Sequence, residues 1–194
     1  MAILLPTQST ARMTILHSGY VGSRVGSTVG LVMDGDSVLI VDPGMVASQR
    51  LILEPLAAEG VAPEQVTDVV FSHHHPDHTI NAGLFPEAWV HDHWARYRHD
   101  EWDSRPADGY EVSPSVRLAA TPGHTPQDIS TVVGTEAGWA VFTHLWWHAD
   151  GPAEDPLASD AEAIHRHRSE VLEIATLIVP GHGAAFTPGQ TTPR

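Results

Sequence analysis

The stretch Ser72-His73-His74-His75-Pro76-Asp77-His78 constrains this chain more than any other. It follows Val66-Thr67-Asp68-Val69-Val70-Phe71, an apolar run rich in β-branched residues that reads as a buried strand. The His/Asp cluster is therefore delivered on a loop at a strand end, where α/β sheets place ligand and metal chemistry. His73 and His75, with one residue between them, can aim two imidazoles at one cation, and Asp77 with His78 can aim a carboxylate and an imidazole at another. Neutral imidazole and carboxylate suit Zn²⁺ and similar first-row metals.

A solvated His-rich loop is the simpler reading of that stretch, but it leaves two downstream turns unexplained. Thr121-Pro122-Gly123-His124 and Val179-Pro180-Gly181-His182-Gly183 each run from an apolar segment through Pro-Gly to His. Pro and Gly end a strand and force a tight turn. Three strand ends thus carry histidines from distant parts of the chain, and they can converge on one rim of a fold.

Together with Asp42-Pro43-Gly44, these motifs resemble the metallo-β-lactamase superfamily of metal-dependent hydrolases, over about Thr14 to Phe186. Val61-Ala62-Pro63, Gly83-Leu84-Phe85-Pro86 and the two Pro-Gly-His turns look closer still to the branch called metallo-β-lactamase domain-containing protein 1. The resemblance implies an α/β fold, an αββα sandwich of two mixed sheets with outer helices. It implies His73, His75 and His124 as ligands of a first metal, and Asp77, His78 and His182 as ligands of a second. Asp42 would support the site without ligating.

One departure stands out. The family supplies a bridging Asp in a Gly-Asp pair at a strand end. The matching segment here is Ala140-Val141-Phe142-Thr143-His144-Leu145, so the pair reads Thr143-His144. Imidazole brings one lone pair and no charge where a carboxylate brings two oxygens and a negative charge. Three outcomes are open: His144 ligates one metal of a pair, the site holds one metal, or Asp150 swings in. We expect His144 as a ligand. The nitrogen-rich set favours Zn²⁺, as one or two ions, with Fe, Mn, Co or Ni as alternatives to it.

The implied function is hydrolysis of a small-molecule ester, thioester, lactone or phosphoester by hydroxide generated at the metal. Asp77 is the expected catalytic group, orienting the nucleophile or accepting its proton, and His74 and His148 are candidates to protonate a leaving group. An iron-dependent oxidoreductase on the same fold is the rival reading, and a metal-binding protein with little catalysis is a third.

Composition narrows the partners. The formal charge is −14, from 10 Lys+Arg against 24 Asp+Glu. Arg96, Arg98 and Arg105 alternate with Asp100, Glu101 and Asp103, a mixed-charge face and not a phosphate track, so nucleic acid is not expected as a partner. No apolar run approaches the roughly 20 residues that span a bilayer. Met1 to Pro6 is too short for a signal peptide. With no Cys, any metal rests on His and carboxylate, and the expected setting is cytoplasmic. Residues 1–194 fit one domain.

Local pattern supplies the elements. Strands are expected at Met13–Tyr20, Thr28–Met33, Val38–Val41, Trp89–Val90, Val116–Ala120, Ile129–Gly134, Gly138–His144 and Leu177–Val179. A hairpin is expected at Asp34-Gly35-Asp36. Helices are expected over Met45–Glu59, with Pro55 as kink or boundary, over Thr79–Leu84, over His91–Trp102 with Trp94, Tyr97 and Trp102 packed on a sheet, and from the capping box at Ser159–Glu162 to about Ile174. Ser104–Pro114 reads as a loop, and His165 and His167 as solvated.

Overall fold

The computed structural model describes residues 2–194. Runs of β-branched and aliphatic residues form two sheets. The first holds β1 (Arg12–His17), β2 (Val29–Asp34), β3 (Ser37–Val41), β4 (Asp68–Val70), β5 (Trp89–His91), β6 (Ala95–Arg98) and β7 (Glu101–Ser104), adjacent in chain order. The second holds β8 (Glu111–Ser113), β9 (Val116–Ala120), β10 (Ile129–Thr135), β11 (Gly138–Thr143) and β12 (Leu177–Pro180), in the order β12-β11-β10-β9-β8. Both sheets are mixed: β3–β4, β4–β5 and β11–β12 are parallel, the other pairs antiparallel.

Alternation along each strand decides the layers. Val32, Leu39, Val41 and Val70 face Leu118, Ile129, Val133, Ala140 and Phe142 in a core between the sheets. The intervening Leu31, Ile40 and Val69 point the other way, under Ile52 and Leu56 of helix α1 (Arg50–Ala58). Val132, Val141 and Ile178 likewise lie under Ile164 and Val171 of helix α3 (Ala161–Ile174). The result is the expected αββα sandwich. Each fully buried Leu, Ile or Val contributes roughly 1.5–3 kcal/mol, and strands buried on both faces contribute to both layers.

Two contacts lock the sheets together. Gly30 leaves the space that the Phe142 ring fills, since a Cβ there would lie 2.1 Å from Phe142 Cε1. At the far end of β2, buried Asp34 accepts from Ser113 Oγ (2.7 Å), Ser115 N (2.8 Å), Ser115 Oγ (2.9 Å) and Thr10 Oγ1 (3.2 Å). Burial pushes its pKa up, but these donors outweigh it and hold the carboxyl below its ordinary range.

Several local expectations need correction. Residues 91–102 are not a helix. After β5 the chain makes the β6–β7 hairpin, turning at His99, whose φ is +53°. Alternation explains it: Arg96 and Arg98 share one face, both 4.4 Å from the Trp89 ring, and pair with Asp103 and Glu101, while Tyr97 meets Trp102 edge-on across the strands at 4.5 Å. Helix α1 starts at Arg50, not Met45, because Met45 N donates to Asp77 O instead, and Pro55 lies inside it. Residues 79–84 split into a one-turn helix α2 (Pro76–Thr79) and a 3₁₀ turn at Ala82–Leu84. The 104–114 segment contains β8. The N-cap of α3 is Asp160, which accepts from Ala163 N, and Ser159 Oγ instead donates to Gly123 O. His167 is buried and meets Glu170 at 3.0 Å, so only His165 is exposed as expected. No helix among the described residues is long and apolar enough to cross a membrane.

Candidate metal centre

The strand ends of β3, β4, β9, β11 and β12 open on one rim, and the histidines meet there. The donor atoms of His73, His75 and His124 lie within 4.8 Å of one another, as do those of Asp77, His78 and His182. His144 takes part in two further groups, one with His73 and His78 and one with His124 and Asp155. It therefore stands between the two trios.

Four of the imidazoles, His73, His78, His124 and His182, are oriented by what holds the outer nitrogen. Asp42 sits beyond β3 with a left-handed φ of +51° and accepts from Ser72 N (2.6 Å) and Ser72 Oγ (2.7 Å). Its Oδ2 also receives His78 Nδ1 at 2.8 Å. With its proton given to Asp42, Ser72 Oγ accepts from His73 Nδ1 at 3.1 Å. His124 Nδ1 donates to Asp155 Oδ2 (2.8 Å) and His182 Nδ1 to Gly26 O (3.1 Å). A carboxylate or carbonyl only accepts, so each of these nitrogens carries the proton and each Nε2 presents a bare lone pair.

Those lone pairs face one another. His75 Nδ1 lies 2.9 Å from His73 Nε2 and 3.1 Å from His124 Nε2, and a single proton serves only one of the two. His144 Nε2 lies 3.0 Å from His182 Nε2. His78 Nε2 and His144 Nδ1 are buried with no hydrogen-bond partner. Converging nitrogen lone pairs of this kind, two of them unpartnered, fit a soft or borderline dication. Burial and the neighbouring imidazoles hold His73 and His144 well below the ordinary histidine pKa, and burial also lowers His75 and His182. His78 runs the other way: burial lowers it, but Asp42 and Asp77 together raise it.

Close backbone approach makes the geometry possible. A Cβ on Gly44 would lie 1.6 Å from Asp77 O, and one on Gly181 2.4 Å from His144 Cδ2. Asn81 ties the same corner, with Nδ2 donating to Gly44 O at 2.7 Å. The turn after Asp42-Pro43 thus seats the Asp77–His78 backbone, and the Pro180-Gly181 turn seats the His144 ring.

The centre opens through a small cavity of about 130 Å³ lined by Val21, Val25, His75, Asp77, His124, His144, Trp147, Leu157 and His182. A larger depression of about 910 Å³ between β1 and the β11–β12 edge carries no histidine and lies away from this chemistry. His74 points out of the centre, to Asp92 Oδ2 at 3.0 Å. His148 and Asp150 are exposed on a turn and join none of the donor groups, so the alternative in which Asp150 swings in does not hold in this structure; the carboxylate beside His124 and His144 is Asp155.

The sequence matches the family model for the metallo-β-lactamase superfamily over residues 22–185. The chain belongs to that superfamily. Within it, the chain groups with metallo-β-lactamase domain-containing protein 1: the Xenopus laevis protein of that name is 34% identical over 185 residues, covering 89% of this chain and 79% of that one. The Mus musculus counterpart is longer, and the chain spans 60% of it at 38% identity. Among solved structures, a metallo-β-lactamase-like protein of Thermotoga maritima superposes with a TM-score of 0.73 at 21% identity, over 92% of this chain and all of that one. A quorum-quenching N-acyl homoserine lactone lactonase superposes at 0.62 and 21%, over 94% of both chains. This is the superfamily's metallo-hydrolase framework. On it, the structure brings together every residue that the sequence marked as a ligand. Asp155 was missed because nothing in its local sequence, Glu154-Asp155-Pro156-Leu157, separates it from an ordinary loop carboxylate.

Proposed function

We propose that the chain is a metal-dependent hydrolase of a small ester, thioester, lactone or phosphoester. The observation that carries this is the pair of donor trios, His73/His75/His124 and Asp77/His78/His182, which reach one cavity through His75, His124, Asp77 and His182, with His144 between them. The two trios and His144 are read as the metal ligands. Zn²⁺ is the preferred ion, given six imidazoles to one carboxylate. When bound, such an ion supplies Lewis acidity and brings the pKa of a coordinated water toward neutrality.

The protein's own groups do the rest. Asp42, Ser72, Asp155 and the Gly26 carbonyl fix the imidazole tautomers before substrate arrives, so no reorganisation accompanies reaction. Asp77 Oδ2 lies 3.5 Å from His78 Nε2 and 3.6 Å from His182 Nε2, at the cavity wall, and is the group proposed to orient the attacking water and take its proton. His74 is committed to Asp92, which argues against a role for it in protonating the leaving group. The substrate is small because the opening is small, and no nucleic acid is expected at a chain of charge −14. The setting proposed is cytoplasmic.

The test is metal content of protein purified without added metal, followed by a panel of p-nitrophenyl esters, lactones, thioesters and bis(p-nitrophenyl) phosphate. Metal-dependent turnover of one class is the expected result. Iron as the native metal with O₂ consumption would favour the oxidoreductase reading, for which the nitrogen-rich donor set speaks. Inactivity with every metal would favour a metal-binding protein with little catalysis.

A further inference from the structure

Asp155 ties an imidazole of the first donor trio to the wall of the cavity. It lies on the segment between β11 and α3, its side chain is 1% exposed, and three donors converge on it. His124 Nδ1 and Trp147 Nε1 both reach Oδ2, at 2.8 and 3.1 Å, while Leu157 N reaches Oδ1 at 2.8 Å. All three donors belong to residues that line the cavity. One is a member of the first donor trio. The other two form the apolar side of the opening, where Leu157 is 65% exposed.

Ser159 also holds this segment, its N and Oγ donating to the backbone carbonyls of His124 (3.1 Å) and Gly123 (3.0 Å). Arg168, fully buried, holds its other flank by donating to Leu145 O (2.8 Å), Pro152 O (2.8 Å) and Ala153 O. It touches neither His124 nor the cavity wall. The three donors occupy the lone pairs of Asp155 that face the site, which leaves it poorly placed to bind an ion itself, although its oxygen lies within 4.8 Å of donors on His124 and His144. Its action is therefore exerted through its neighbours.

We propose that Asp155 is a positioning residue that couples metal capture by His124 to the placement of Trp147 and Leu157, the wall against which the non-reacting, uncharged part of the substrate rests. The proposal rests on the metal-centre reading above. The physical basis is that one carboxylate oxygen is shared. When His124 donates its Nε2 lone pair to a cation, its Nδ1–H becomes more acidic and draws more strongly on Oδ2. The share left to Trp147 Nε1–H falls, and the indole relaxes. Linkage makes the effect reciprocal, so a change at Trp147 alters metal affinity.

The experiment uses the full chain made metal-free, titrated with Zn²⁺, with metal bound per chain and the Trp147 indole N–H resonance as readouts. Trp147→Phe identifies that resonance among the six tryptophans. In wild type the Trp147 signal should move on Zn²⁺ addition. Asp155→Asn keeps the shape and loses the charge. It should weaken Zn²⁺ binding about 10–100-fold and abolish the Zn²⁺-dependent movement of the indole signal. Trp147→Phe leaves more of the carboxylate to His124 and should tighten Zn²⁺ binding several-fold. Should Asp155→Asn not fold, the Trp147→Phe affinity and the wild-type indole signal decide alone. Unchanged Zn²⁺ affinity in the variants, or an indole signal indifferent to Zn²⁺, overturns the coupling. Wild type that binds no Zn²⁺, Co²⁺ or Fe²⁺ overturns the metal-centre reading instead.

Discussion

His144 Nε2 lies 3.0 Å from His182 Nε2, while His144 Nδ1 is buried with no partner at all. His73, His78, His124 and His182 each have one nitrogen committed to a hydroxyl, a carboxylate or a carbonyl. His144 instead meets only another imidazole through Nε2 and leaves Nδ1 unpaired, at the position where the family resemblance leads us to expect an Asp. Its neutrality also removes the charge that would offset repulsion between two dications.

His144→Ala should therefore lower the affinity of one ion and leave the other in place. His144→Asp should raise occupancy of the second site by restoring a carboxylate between the trios. Metal per chain at matched free Zn²⁺ checks both, and equal stoichiometry and affinity in all three proteins would make His144 a bystander.

His75→Ala and His124→Ala should each release metal from the first trio without unfolding the chain. His75 is exposed and its loss disturbs little packing. His124 is buried, and its removal leaves Asp155 one donor short, a cost of about 1–3 kcal/mol. Metal analysis with circular dichroism checks the pair; retention of full metal by either variant would falsify the assignment of that trio.

Gly44→Ala should damage the second trio specifically. The added Cβ would fall 1.6 Å from Asp77 O, which is backbone and cannot rotate away. The turn carrying Asp77 and His78 must shift, at about 2–3 kcal/mol of stability. A denaturant midpoint and metal titration should show both losses, whereas Gly83→Ala, where a Cβ meets nothing, should show neither.

Asp92 should supply acid-sensitive stability. Burial pushes its pKa up, but His74, Tyr97 and the amides of Ala95 and Trp94 pull it down further, to about 2 from 3.8. A depressed carboxyl stabilises the fold above its unfolded value and loses that contribution as pH falls from about 4 through about 2, here about 2 kcal/mol. Asp92→Asn should be less stable at pH 7 and should lose less stability than wild type between pH 4 and 2, as followed by urea midpoints.

RNA and DNA should bind weakly. The mixed-charge hairpin pairs Arg96 with Asp103 and Arg98 with Glu101, leaving no run of free cations on that face. Filter binding at physiological salt should give nothing tighter than the non-specific range of about 10⁻⁴–10⁻⁶ M.

The convergence of the donor residues was legible in the sequence because they lie at strand ends in short motifs whose chemistry is local: His73-x-His75-x-Asp77-His78, then two Pro-Gly-His turns. The strands were legible because residues such as Val38–Val41 alternate toward two cores or run apolar through both. The β6–β7 hairpin was not. Trp94, Tyr97 and Trp102 fit helical spacing, and only the cross-strand partners Arg96–Asp103 and Tyr97–Trp102, with Trp89 between two arginines, favour strands. Nor was Asp155 legible, since its meaning comes from His124, Trp147 and Leu157 meeting on one carboxylate, two of them on other turns of the chain. Sequence determines which groups can bind an ion and that the motifs carrying them follow strands; it does not carry the distances. Which nitrogen of each ring faces inward, and which carboxylate stands behind it, is decided by packing between the two sheets, because a hydrogen bond extends only about 3 Å and its partner is chosen by the fold.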